Sequence, residues 1–133
     1  MKGQVSVLLV VEDDKAMRSL LCDELYDLGV RIVEAGDGDE ALEKLQQQKP
    51  DLILTDLRMP AGGLDYVSRL QVIAPGCPII LMTAFGDAQT KAQALQLGVS
   101  AYFDKPVRLS ALKTAITELL GLDGAPDVPL RTS

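Results

Sequence analysis

The sequence predicts an α/β fold built on a doubly wound, parallel sheet of five strands. Five short apolar runs, typical of strands covered on both faces, alternate with stretches of helical periodicity. Right-handed crossovers leave few topologies for such a chain, and the strand order 2-1-3-4-5 with five helices is the natural choice. The predicted strands are residues 5–11, 31–35, 52–56, 79–82 and 101–103.

The first three predicted helices combine a periodic apolar face with a cap or a stop signal. Asp14 can cap the first helix, and Gly29 ends it. The second helix follows a turn at residues 36–38 and ends before Pro50, and the third follows a loop at residues 59–63. Their apolar positions are Met17, Leu20, Leu21, Leu25 and Leu28, then Ala41, Leu42 and Leu45, then Leu64, Val67, Leu70 and Ile73.

The fourth and fifth helices differ in the strength of their pattern. Asp87 caps the fourth helix and Gly98 ends it, but its predicted face is small and weakly amphipathic, so we expect it to be the least firmly packed. The fifth helix has a strong apolar face. We expect one domain over residues 1–120 and a flexible tail or truncated linker over residues 121–133. The two faces are Ala88, Ala92 and Leu95, and Leu109, Leu112, Ile116, Leu119 and Leu120.

The composition excludes several classes of function. The chain has 133 residues with 13 basic and 19 acidic side chains, a net charge of −6, which argues against direct nucleic-acid binding. It has no His, so a Ser–His or Cys–His nucleophile is excluded. Cys22 and Cys77 provide neither a disulfide framework nor metal-ligand spacing. No apolar run is long enough to span a bilayer, and we expect a cytoplasmic protein without a membrane partner.

Polar residues follow four of the predicted strands at one edge of the sheet. Glu12 and Asp13 follow the first strand, Asp56 ends the third, Thr83 follows the fourth and Lys105 follows the fifth. Strands 1 and 3 are neighbours, so the three carboxylates crowd together and repel one another. Lys105 supplies one positive charge, and Mg²⁺, which prefers oxygen ligands, can supply the rest.

Each of these residues also has an ordinary structural interpretation. The acids after the first strand can cap a helix, a Thr at a strand end is often a turn hydroxyl, and a Lys beside Pro can be a solvated charge. An unpaired carboxylate after a buried strand is harder to explain, because burial of a charge is costly. Convergence of all five groups at one sheet edge favours a functional site.

Taken together, four motifs resemble the response-regulator receiver domain of two-component signalling, in particular chemotaxis-type regulators. They are VVEDD at residues 10–14, LTDLRMP at 54–60, MTA at 82–84 and KP at 105–106. The resemblance covers about residues 5–120 and implies the flavodoxin-like form of the predicted fold.

The resemblance implies a role for each site residue. Asp56 is the phosphoacceptor, and Asp13, Asp56 and the backbone carbonyl of Arg58 bind Mg²⁺. Glu12, where the family more often has Asp, acts through a metal-bound water. Thr83 and Lys105 hold the phosphoryl oxygens.

The resemblance also implies a switch and a set of partners. Thr83 and Tyr102 switch the face formed by the fourth helix, fifth strand and fifth helix, and this face is expected to support a phosphorylation-dependent homodimer. The Lys105–Pro106 peptide bond is cis, and Arg58 and Phe85 tune the phosphoryl lifetime. The phosphoryl donor is a histidine kinase or a phosphotransfer protein. The chain is a regulator that assists its own phosphorylation and dephosphorylation, not an enzyme with an external substrate.

Two other functions stay open at this point. The first is an interaction module with this architecture that is never phosphorylated; it predicts that Mg²⁺ does not stabilise the protein. The second is a hydrolase with an aspartate nucleophile; it predicts multiple turnover of a phosphate ester. The segment Asp56–Leu57–Arg58 lacks the second Asp of a DxD phosphatase, which argues against the hydrolase.

Overall fold

A computed structural model describes residues 5–84 and 87–122 and confirms the predicted architecture. The sheet is parallel throughout, with the order β2-β1-β3-β4-β5. The strands are Val7–Val11 (β1), Arg31–Ala35 (β2), Leu52–Asp56 (β3), Ile79–Thr83 (β4) and Ala101–Asp104 (β5). The helices are Lys15–Tyr26 (α1), Gly38–Gln47 (α2), Leu64–Ile73 (α3), Ala88–Gln96 (α4) and Leu109–Leu120 (α5).

Two hydrophobic cores cover the two faces of the sheet. Side chains alternate between the faces of a strand, so Leu9 and Val11 join one core, while Leu8 and Val10 join the other. Helices α2, α3 and α4 supply buried residues to the first core, and α1 and α5 supply them to the second. The three central strands are therefore buried on both sides, which explains their continuous apolar sequence.

The strand register determines which residues meet at the carboxyl edge of the sheet. Val11 pairs with Thr55, Asp56 with Met82, and Thr83 with Asp104. The residues that follow β1 and β3 therefore lie side by side, at the point where the strand order reverses.

Aspartate side chains cap three of the helices. Asp14 accepts a hydrogen bond from the Met17 N–H and Asp87 accepts one from the Thr90 N–H, as the sequence predicts. The turn at residues 36–38 has a further role, because Asp37 caps α2 and Gly38 is its first residue.

The sequence predicts the wrong packing face for helix α4. Ala88, Ala92 and Leu95 are exposed, and the buried residue of this helix is Ala94. In a helix composed largely of Ala and Gln, the apolar periodicity is too weak to define the face that packs.

Helix α5 is the last element among the described residues, which end at Leu122. Helix α5 ends at Leu120, and Gly121 caps it in the left-handed region at φ 64°. Residues 123–133 of the predicted tail and Phe85 lie outside the described residues. Within residues 5–84 and 87–122, none of the helices has the length and apolar character needed to cross a membrane.

Candidate functional site

Three carboxylates converge at the carboxyl edge of the sheet. Glu12, Asp13 and Asp56 each offer an oxygen atom, and these atoms all lie within 4.8 Å of one another. Glu12 and Asp56 are buried, with 1% and 3% of their surface exposed, while Asp13 is exposed. The predicted crowding is confirmed, because β1 and β3 are adjacent and end at the same level.

Lys105 bridges two of these carboxylates from the segment that follows β5. Its Nζ donates to Glu12 Oε1 and to Asp56 Oδ2, both at 2.7 Å. The backbone N–H of Lys105 donates to the Thr83 carbonyl at 2.9 Å, which ties this segment to the end of β4. The Lys105–Pro106 peptide bond is cis, as the resemblance implies.

Backbone amides hold the remaining oxygens of the two buried carboxylates. The Asp14 N–H donates to Glu12 Oε2 at 3.1 Å, and the Arg58 N–H donates to Asp56 Oδ1 at 3.0 Å. Both oxygens of each buried acid are thus oriented by hydrogen bonds. Arg58 itself is exposed, in the loop that follows β3.

The electrostatics of the cluster favour a bound cation. Burial raises the pKa of Glu12, although the hydrogen bonds from Lys105 and the Asp14 amide oppose the shift. Burial alone would lower the pKa of Lys105, but its hydrogen bonds to Asp56 and Glu12 outweigh this effect and raise it. One ammonium therefore faces three carboxylates, Asp13 among them. This oxygen-rich donor set with excess negative charge fits a hard divalent cation such as Mg²⁺.

The predicted switch residues lie on the two strands that follow β3 in the sheet order, Thr83 on β4 and Tyr102 on β5. Thr83 is fully buried at the end of β4. Tyr102 pairs with Leu81 in the β4–β5 register and packs against the core on the α4 side. Burial raises the pKa of Tyr102, and its hydroxyl has no hydrogen-bond partner among the residues that the structure describes. The Lys91 Nζ of α4 lies 5.8 Å from the ring centroid.

Sequence reasoning missed two residues that border the site. Arg18 of α1 donates from Nη1 to the Glu12 carbonyl at 2.7 Å. Gly38 donates its N–H to the Pro60 carbonyl at 3.0 Å, and a Cβ at this position would lie 1.8 Å from the Ala61 carbonyl oxygen. The glycine at position 38 was the available sign of a close backbone contact, but the sequence does not show which part of the backbone approaches a glycine in a turn.

Comparison with known proteins identifies relatives across nearly the whole described chain. The model of the response regulator receiver domain family matches residues 8–117. The chain is 38% identical to transcriptional regulatory protein GlrR of Escherichia coli over 114 residues, which are 85% of this chain and 26% of GlrR. It therefore spans about a quarter of the length of that relative.

Solved structures agree with the sequence relatives. A CheY-like receiver domain protein from Methanospirillum hungatei superposes with a TM-score of 0.84 at 25% identity, covering 89% of this chain and 95% of that chain. A Burkholderia pseudomallei response regulator, crystallised with a phosphorylated aspartic acid, a calcium ion and citrate, superposes with a TM-score of 0.77 at 26% identity. That match covers 83% of this chain and 65% of that chain. The chain belongs to the response regulator receiver domain family and is a phosphoacceptor signalling domain of the two-component type.

Proposed function

We propose that Asp56 is the residue that accepts the phosphoryl group. The observation that carries this proposal is the position of its carboxylate, which is buried at the end of β3 and in direct contact with the Lys105 ammonium at 2.7 Å. A carboxylate in this setting can attack phosphorus while a fixed cation stabilises the charge of the transferred group.

We assign the divalent cation to the acidic cluster. Asp13, Asp56 and the backbone carbonyl of Arg58 are its proposed protein ligands. Glu12 is proposed to act through a metal-bound water, as the resemblance to the family implies. Bound Mg²⁺ offsets negative charge on the phosphoryl oxygens. The Burkholderia pseudomallei regulator, crystallised with a phosphorylated aspartic acid and a calcium ion, supports the pairing of a phosphorylated aspartate with a divalent cation in this fold.

The chain's own residues position the reaction and bind its product. An oxygen of Asp56 forms the new bond to phosphorus, and the bond between phosphorus and the donor breaks. Lys105 and Thr83 hold the transferred oxygens, because both lie at the same sheet edge as Asp56. The domain thus assists its own phosphorylation and, with water as the acceptor, its own dephosphorylation, without turning over a separate substrate.

The product changes the local charge and biases a surface. A phosphoryl group adds about two negative charges and three strong acceptors. We propose that Thr83 and Tyr102 relay this change to the face formed by α4, β5 and α5. Among the described residues the Tyr102 hydroxyl has no hydrogen-bond partner, and this supports the role, because a new position that gives the hydroxyl a partner is favoured. Leu95 and Leu119, both exposed, lie on the helices of this face and suit a phosphorylation-dependent homodimer.

The phosphoryl donor lies outside this chain. The sequence has no His, so no phosphohistidine forms within it. A histidine kinase or a phosphotransfer protein is the proposed partner, as for the family.

Mass spectrometry after incubation with Mg²⁺ and acetyl phosphate tests the proposal. We expect the wild-type chain to gain the mass of one phosphoryl group, and we expect no gain in Asp56→Asn or after chelation of the metal. Asp51→Asn, which changes an acid at the opposite edge of the sheet, is the matched control and should still be phosphorylated. An unchanged mass gain in Asp56→Asn would contradict the assignment.

A further inference from the structure

Arg18 links the ends of two strands beside the acidic cluster. Its Nη1 donates to the backbone carbonyl of Glu12 at 2.7 Å, and its Nε donates to Glu34 Oε1 at 3.1 Å. The side chain is only 20% exposed. It lies against the β2–α2 turn, because a Cβ at Gly36 would approach Nη1 to 3.0 Å. The guanidinium is therefore held in one place by two acceptors and a neighbouring backbone.

The hydrogen bond from Arg18 acts on the peptide that carries Asp13. The Glu12 carbonyl belongs to the peptide bond between Glu12 and Asp13, so the hydrogen bond from Arg18 restrains the peptide plane that leads into Asp13. The carboxylates of Glu12 and Asp56 are oriented directly by Lys105 and by backbone amides. For the Asp13 carboxylate, the described residues provide no such partner, so its placement depends on the backbone.

Glu34 offsets the charge that Arg18 brings to this region. A guanidinium beside a cation site repels the cation unless an anion accompanies it. The Glu34 carboxylate of β2 forms an ion pair with Arg18, and the Glu34 side chain is 54% exposed. Glu34 therefore supplies the anion that accompanies the guanidinium. Arg18 can thus orient the backbone without weakening the electrostatic attraction for a cation.

We propose that Arg18 is a positioning residue for the divalent-cation site: through the Glu12 carbonyl it orients Asp13, and Glu34 is its counter-charge. This inference rests on the proposed function, because it requires Asp13 to be a ligand of the cation. Removing a group that orients a metal ligand typically weakens metal affinity about tenfold or more.

Titration calorimetry with magnesium chloride tests this inference. We expect the Kd for Mg²⁺ to rise about tenfold in Arg18→Met, a change that persists at high salt because it reflects geometry. In Glu34→Gln the Arg18 guanidinium keeps its hydrogen bond to the Glu12 carbonyl but loses the negative charge of Glu34. We expect a rise of about twofold at low ionic strength, which disappears at high salt because screening removes the repulsion. Arg31→Met removes the same charge at the opposite edge of the sheet and should bind like wild type.

Several outcomes would overturn the inference. A Kd for Arg18→Met equal to or lower than that of wild type contradicts a positioning role. If that variant does not fold by circular dichroism, Arg18→Lys takes its place: its compact ammonium cannot reproduce the fork between both acceptors, so we expect about threefold weaker binding. A wild-type Kd in Arg18→Lys then overturns the inference.

If wild type itself binds no Mg²⁺, the proposed metal site fails together with the inference. If wild type binds and is phosphorylated but Arg18→Met matches it, only the inference fails.

Discussion

The Nζ of Lys105 lies 2.7 Å from Oδ2 of Asp56, although 49 residues separate them in the chain. The same ammonium contacts Glu12 Oε1 at an equal distance, so one cation serves two buried carboxylates. Without the Lys105 ammonium, two uncompensated carboxylates would face each other in a partly desolvated pocket, and this would lower the stability of the folded state.

Replacing Lys105 should therefore make stability depend on added metal. We expect Lys105→Met to lower the free energy of unfolding by about 2 kcal/mol, less than for a fully buried pair because the side chain is 18% exposed. Mg²⁺ should restore much of this loss, because a divalent cation replaces the missing charge. Urea titrations with and without Mg²⁺ measure both effects. Lys113→Met, which removes the partly exposed pair with Glu24, should cost less than about 1 kcal/mol and show no response to Mg²⁺.

The contribution of Lys105 should also depend on pH in a defined direction. Its folded-state pKa is raised above the ordinary value of 10.5, so the stabilisation is complete below pH 10.5 and disappears as the pH rises through the folded-state pKa. The difference in stability between wild type and Lys105→Met should therefore be constant near neutral pH and shrink in strong alkali. A difference that grows with alkaline pH would contradict this linkage.

Gly38 should be intolerant of even one added methyl group. Its Cβ would meet the Ala61 carbonyl oxygen at 1.8 Å, so Gly38→Ala must displace the loop that contains Arg58. We expect a loss of about 2 kcal/mol or more and weaker Mg²⁺ binding. Gly76→Ala is the control: Gly76 has φ 82° but open space around it, so the variant should lose about 1 kcal/mol through backbone strain and keep its Mg²⁺ affinity. Equal Mg²⁺ binding in both variants would argue against a role of Gly38 in supporting this loop.

A buried hydroxyl pair should stabilise the strand that carries Asp56. The Tyr66 hydroxyl lies 2.9 Å from Thr55 Oγ1. The Thr55 hydroxyl also donates a hydrogen bond to the Asp56 carbonyl at 2.9 Å. We expect Tyr66→Phe to cost about 1 kcal/mol in urea unfolding, because one buried hydrogen bond is lost. Tyr26→Phe removes a hydroxyl from a side chain that is 71% exposed and should leave stability unchanged. A similar small effect in both variants would show that the buried pair contributes little.

The two cysteines should react slowly with thiol reagents at neutral pH. Burial raises the pKa of both Cys22 and Cys77 to about 11, from an ordinary value of 9.0. At pH 8 the thiolate population is then about a hundredfold smaller than for an unperturbed thiol. Labelling of the folded protein with Ellman's reagent should accelerate about tenfold per pH unit until the pH approaches 11. Labelling at pH 8 as fast as that of a short cysteine peptide would contradict the burial of these thiols.

The parts of the fold that the sequence predicts are those with a strong local signal. The apolar runs of β1, β3 and β4 are continuous because both faces of these strands are covered, and the caps at Asp14 and Asp87 are local interactions. The convergence of Glu12, Asp13 and Asp56 follows from topology alone once the strand order is predicted.

The remaining features depend on contacts that have no local signature. The prediction of the inner face of α4 was wrong because Ala94, which is buried, is the same residue type as the exposed Ala88 and Ala92, so hydrophobicity does not distinguish them. Arg18 was missed because its acceptor is a backbone carbonyl, which every residue has. The constraint at Gly38 arises from a loop that lies more than twenty residues away in sequence.

The most direct measurement of the central claim is the chemical identity of the phosphorylated side chain. After incubation with Mg²⁺ and acetyl phosphate, borohydride reduces an aspartyl phosphate to homoserine, and tandem mass spectrometry of the digested chain locates that residue. The account predicts homoserine at position 56 and an unmodified Asp13. Homoserine at another position, with Asp56 intact, would contradict it.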